Sequence, residues 1–80
     1  MVDSGVKTQN RIFRFGTIKC GSGSSVLSVV TNLSSTGATL EVKKAFRVPN
    51  EFTLIIEGYL FGRTCHVVWR ESKRIGVEFS

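Results

Sequence analysis

The residues of this chain best suited to chemistry lie in Asn32-Leu33-Ser34-Ser35-Thr36-Gly37-Ala38, where an amide and a hydroxyl stand two positions apart and a glycine comes after them. Asn and Ser side chains hydrogen-bond local backbone and leave other donors and acceptors free for an outside group. Gly37 permits φ > 0 or the close approach of a ligand to backbone. Two chemistries fit: a well-made β-turn, and a turn that recognises a ligand with hydrogen-bonding edges. A second group is cationic. Lys7, Arg11, Arg14 and Lys19 meet only Asp3 in the first 20 residues, so a surplus of three falls there out of a net charge of +5. Charge concentrated in this way suits an anionic partner, although a solvated basic surface has the same composition. Lys43, Lys44 and Arg47 form a second basic group in a loop.

Other chemistry is poorly supplied. The chain has one His, no paired carboxylates at catalytic spacing and no phosphate-loop glycine motif, so an enzyme is not expected. Cys20 and Cys65 are separated by many residues in a chain without a secretory signal, which favours free thiols over a disulfide. His66 stands directly after Cys65, and neighbours on a strand point to opposite faces, so these three residues make no zinc set. No cofactor is expected.

The elements that must position the turn read as strands. Residues 11–20 alternate imperfectly through Phe13, Phe15 and Ile18, with Gly16 as a possible bulge. Gly21-Ser22-Gly23-Ser24 turns the chain into a β-branched run over residues 26–31. Beyond the turn, Ala38, Leu40 and Val42 share one face, and Phe52, Leu54 and Ile56 share one after the break at residues 43–50. Cys65, Val67 and Trp69 alternate with His66, Val68 and Arg70, and Ile75, Val77 and Phe79 form a sixth run after the turn at residues 71–74. Trp69 and the phenylalanines Phe13, Phe15, Phe46, Phe52, Phe61 and Phe79 are expected in the core, with Phe61 the best candidate for exposure.

Six short strands in 80 residues argue for one all-β domain, and a closed antiparallel barrel buries one face of every strand while removing the edges. Hydrophobic residues at 41% and charged residues at 21% are globular proportions. No run approaches the roughly 18 to 20 apolar residues of a membrane span, and residues 1–10 lack a signal-peptide core. A cytoplasmic protein without a membrane partner is the expectation.

The turn and its flanks together resemble the PilZ domain family. Its motif of Asp or Asn, any residue, Ser, two residues and Gly is met by Asn32, Ser34 and Gly37. Gly37-Ala38-Thr39-Leu40-Glu41-Val42 is similar to the strand after that motif, and Val67-Val68-Trp69-Arg70 with Ile75-Gly76-Val77-Glu78-Phe79 to the family's last hairpin. The resemblance spans about residues 7–79 and implies a six-stranded barrel, here over residues 10–80; residues 1–9, polar, with Gly5 and without period, read as a flexible N-terminal arm. Family members often carry a C-terminal helix, which is not expected here.

PilZ domains are known chiefly as receptors for cyclic di-GMP, a bacterial second messenger with two phosphates and two guanines. The resemblance thus implies a cyclic di-GMP receptor whose ligand-binding residues are Arg11, Arg14, Asn32, Ser34 and Gly37, signalling to a downstream protein. Guanine O6 and N7 suit the planar fork of Arg. The family's second motif, two arginines separated by three residues, is broken. With Arg14 as its second member the first is Asn10, and with Arg11 as the second the first is Lys7. Removing one charge-assisted hydrogen bond costs about 1.5 to 3 kcal/mol. The alternative is therefore a degenerate PilZ domain that no longer binds the nucleotide and serves as a protein-interaction module. Nucleic acid is a weaker third reading, because alternation assigns the aromatics to the core and leaves few for stacking.

Overall fold

The computed structural model of the chain describes residues 13–80; the arm at 1–9, with Lys7, and also Asn10 and Arg11, lie outside the described residues. Six antiparallel strands form the domain: β1 (Arg14–Lys19), β2 (Ser25–Leu33), β3 (Gly37–Glu41), β4 (Glu51–Ile56), β5 (Arg63–Arg70) and β6 (Arg74–Phe79). Their order round the wall is β1-β2-β3-β6-β5-β4, and β4 pairs back onto β1 from Gly16↔Ile56 to Lys19↔Thr53 to close a barrel. The described residues contain no α-helix and a 3-10 turn at Ala45–Arg47.

The core arises from period-2 burial. In β4, Phe52, Leu54 and Ile56 are buried while Glu51, Thr53 and Ile55 are exposed. Leu40 of β3 and Ile75 and Val77 of β6 meet them inside, with Ile18 of β1 and Val30 of β2. Gly16 is not a bulge: its pairing with Ser28 lies in an unbroken β1–β2 register. It faces inward, where a Cβ would come within 3.0 Å of both Leu54 Cδ1 and Val30 Cγ2. Ser28, buried opposite, donates its hydroxyl proton to the Gly16 carbonyl at 2.8 Å, which satisfies the one polar side chain the wall turns inward here.

With Gly16 and Ile18 inward, Phe15 must point outward, and it is exposed. Phe13, Phe46 and Phe61 are exposed too, so of the six phenylalanines only Phe52 is buried and Phe79 partly so. The expected phenylalanine core thus holds for Phe52 and in part for Phe79, fails for Phe13, Phe15 and Phe46, and Phe61 is exposed as its loop position suggested.

The irregularities lie elsewhere. The β2–β3 register shifts between Val30 and Asn32, and the β5–β6 register between Val67 and Trp69. Thr31 and Val68 are thus the extra residues of two β-bulges, and an extra residue reverses the faces of the residues after it. Trp69, expected in the core, is 41% exposed for this reason. Asn32 belongs to β2 and not to the turn, which is shorter than expected.

After β3 the chain leaves its neighbour. Val42 N–H donates to the Lys73 carbonyl at 3.0 Å and Ala45 N–H to that of Ser72 at 3.1 Å, drawing the connector towards the β5–β6 turn. Arg70 secures it by donating to the Ala45 carbonyl at 2.6 Å and to Asn50 Oδ1 at 2.7 Å. Cys20, half-buried, and Cys65, buried, are free thiols.

Candidate functional site

The motif is a side-chain-braced turn between β2 and β3. Ser34 N–H donates to the Gly37 carbonyl at 2.9 Å, and the Ser34 hydroxyl oxygen accepts from the Thr36 and Gly37 N–H groups, each at 3.2 Å. That oxygen therefore satisfies two backbone donors that a tight turn would otherwise leave to water. Gly37 has an ordinary negative-φ backbone. It is β6 that requires a glycine: a Cβ at position 37 would overlap the Val77 carbonyl oxygen. Ser34 and Gly37 thus shape the turn, and Asn32 is the motif residue aimed away from it.

The Thr31 bulge decides that aim. Without it Asn32 would oppose Ala38 and share its inward face; with it Asn32 opposes Thr39 and is exposed on the outer wall. Thr39 in turn opposes Gly76, and Gly76 opposes Trp69 across the second bulge. Asn32, Thr39, Gly76 and Trp69 form one transverse row over β2, β3, β6 and β5 on the outside of the barrel. Gly76 is covered by the indole, since a Cβ there would overlap Trp69 Nε1 and Cε2. An aromatic laid across a glycine on a neighbouring strand holds both in place and presents a flat face outward.

Beside Asn32 a cleft of about 150 Å³ is lined by Phe13, Thr31, Glu41 and Arg74. Arg74 pairs across the wall with Glu41 and is held by Glu71, at 2.9 Å through Nε and 2.7 Å through Nη2. This exposed pair contributes little to stability, about 0 to 1 kcal/mol, but it orients the guanidinium.

Arg14 takes a different direction. It opposes Val30 and so starts from the inner register at one end of the barrel. Nη1 donates to the Glu57 carbonyl at 3.3 Å, and the guanidinium lies 5.7 Å from the centre of the Tyr59 ring. Its Nε is buried and has no hydrogen-bond partner among the described residues. At the same end a hollow of about 400 Å³ is lined by residues that include Ser34, Ser35, Tyr59, Phe61 and Arg63. The Arg63 guanidinium lies 4.2 Å from the centre of the Phe79 ring. The motif therefore bridges two surfaces, with Asn32 on the outer wall and Ser34 and Ser35 on the rim of the mouth that Tyr59, the ring beneath Arg14, also lines.

Of the sequence-derived site, Ser34 and Gly37 meet in the turn, Asn32 faces the outer wall, Arg14 reaches Tyr59 at the edge of the adjoining hollow, and Arg11 is outside the described residues. The positions of Trp69 and Arg74 on the same outer wall as Asn32 escaped sequence reasoning. Pairing the last hairpin through a Trp opposite a Gly, instead of through strict alternation, would have found the first. Among the described residues no cluster of three His, Cys, Asp or Glu is placed to hold a metal ion. Burial pushes the Cys65 thiol up to about 11 against the opposing pull of Arg63. That leaves the thiol protonated near neutrality and poor as a nucleophile.

Comparison with curated proteins and with solved structures finds no significant match. The family model described as the PilZ domain matches residues 12–80. That stretch takes in all six strands, both bulges and the braced turn, and the chain belongs to the PilZ domain family.

Proposed function

We propose that this chain is a bacterial cytoplasmic receptor module for cyclic di-GMP, in which the nucleotide orders the N-terminal arm against the β2–β3 turn and thereby signals to a protein partner. The observation that carries this reading is the outer-wall row, which sets the Asn32 amide in line with the exposed Trp69 indole. An amide can read a guanine edge and an indole can stack on a base. Arg11 and Arg14 supply charge for the phosphates, with Ser34 and Gly37 presenting the turn. Arg74, beside Asn32, adds a planar donor fork to the set.

Calorimetric titration with cyclic di-GMP, with GTP and a short single-stranded oligonucleotide as controls, tests this. Selective binding near micromolar, about −8 kcal/mol, supports the receptor. Loss of binding in Asn32→Ala, with the melting temperature kept, would put the amide at the ligand.

One observation favours the degenerate, interaction-module reading instead. Arg14 is already engaged by the Glu57 carbonyl and Tyr59, and the other arginine position holds Asn10 or Lys7. No heat from a folded sample at high micromolar nucleotide makes that reading the leading one.

A further inference from the structure

The barrel wall is split beside the N-terminal half of β2. β2 and β3 pair only from Val29↔Glu41 onward, whereas β2 continues back through Ser28, Leu27, Val26 and Ser25, paired with β1 alone. On the other side the connector has been drawn off to the Ser72 and Lys73 carbonyls. Among the described residues nothing pairs with that side of residues 25–28. In an antiparallel strand every second residue directs both its N–H and its C=O to a given side, so this stretch offers unpaired donors and acceptors in ladder geometry.

The split forms a groove of about 550 Å³, larger than the hollow at the barrel mouth. Apolar Val26, Leu27 and Val42 line it, and Leu27, on the outward face, is 66% exposed. Its rim carries Lys43, Lys44 and Arg47 against the single carboxylate of Glu41. None of these residues belongs to the Asn32 row or the mouth beside Arg14, apart from Glu41, which borders the small cleft as well. Four strand residues span about 13 Å, enough for a short extended segment to lie alongside.

We infer that this groove docks an extended acidic segment of a partner protein, which adds a strand to β2, places alternate apolar side chains on Val26 and Val42, and sets carboxylates against Lys43, Lys44 and Arg47. Backbone ladder bonds would supply affinity and the charged rim specificity, as in other strand additions. The sign of the rim selects this occupant. A second copy of the chain brings the same cations, and residues 1–12 carry Lys7 and Arg11 against Asp3. The inference goes beyond nucleotide recognition and does not depend on it.

The probe is a labelled ten-residue peptide alternating Val with Glu, compared with its Val and Lys counterpart, titrated onto the full chain by fluorescence anisotropy and followed by amide NMR. The acidic peptide is expected to bind, the lysine peptide at least tenfold more weakly. Binding should slow amide exchange at alternate positions of residues 25–28. Lys44→Glu with Arg47→Glu, both on the exposed rim, should weaken the acidic peptide at least tenfold while the melting temperature holds. The proposal is overturned by no binding up to about 1 mM peptide, binding that survives the charge reversal, or protection that appears away from residues 25–28. NOEs in the free protein between residues 1–12 and this edge, or sedimentation showing that it already joins two copies, would overturn it too.

Discussion

β4 and β5 lie side by side in the barrel wall, paired from Glu51↔His66 to Leu54↔Arg63, yet they divide their side chains differently. β4 alternates without interruption, every inward position is apolar and buried, and it contributes to the wall nothing but core. β5 begins the same way with Cys65 and Val67 inward, then inserts Val68 and turns its largest residue out across Gly76. β2 repeats the device with Thr31 and Asn32. The regular strand makes stability, while the bulged strands give up part of their packing to place an amide and an indole on one outer row. A bulge is the least disruptive way to do this, because the paired stretch of wall over β2, β3, β6 and β5 has no edge from which a large side chain could otherwise be redirected.

The contrast is sharpest in stability. Leu54→Ala empties a fully buried position in β4 and should destabilise the domain by about 2 to 5 kcal/mol. For 80 residues the total is on the order of 4 to 12 kcal/mol, so urea unfolding should show a variant near or below its folding limit. Trp69→Ala should stay folded despite deleting a larger side chain, and its loss should appear in cyclic di-GMP affinity, about 1 to 3 kcal/mol, by calorimetry. A variant that unfolds instead would make the indole part of the core's support and erase the distinction between the two strands.

The same two strands show what the sequence can express. Phe52, Leu54 and Ile56 were legible because apolar alternation and burial coincide along the unbroken register of β4. The barrel and its six strands were legible for that reason, and the family through the spacing of Asn32, Ser34 and Gly37 together with the strands that flank them. The outer row was not. Alternation carried past Val67 puts Trp69 opposite Ile75, inside; one inserted residue moves it opposite Gly76, outside. No composition or periodicity marks the insertion, since Val68 is as good a strand residue as its neighbours. Gly16 failed in the opposite sense: a glycine in a strand suggests a bulge, but this one makes room for Leu54 and Val30.

Gly37→Ala tests whether the motif glycine serves the fold or the ligand. The added methyl meets the Val77 carbonyl of β6, which is backbone and cannot swing aside, so β3 and β6 must part. Overpacking of this kind costs about 1 to 3 kcal/mol. The melting temperature should fall in proportion whether or not nucleotide is present. An unchanged melting temperature with lost binding would return the glycine to the ligand.

The smallest effect expected is in the pH dependence of the regular wall. Cys65 opposes Phe52 of β4, and its thiol is raised from an ordinary value of 9.0 to about 11, mainly by burial. Its folded-state pKa lies above its unfolded one, so the folded protein holds the proton more tightly. The contribution is complete below about pH 9 and is lost as the pH climbs through about 11, because the unfolded chain then gives up the proton first. Melting temperatures taken from pH 8 to 11 should fall more steeply in the native chain than in Cys65→Val, which removes the titrating group at nearly the same volume. Lys and Tyr groups titrate over the same range in both chains, so only the difference between the two slopes reports on Cys65. Parallel slopes would mean that the β4–β5 pairing near Phe52 opens to solvent before the thiol ionises, and that the regular strand is less closed than its burial pattern indicates.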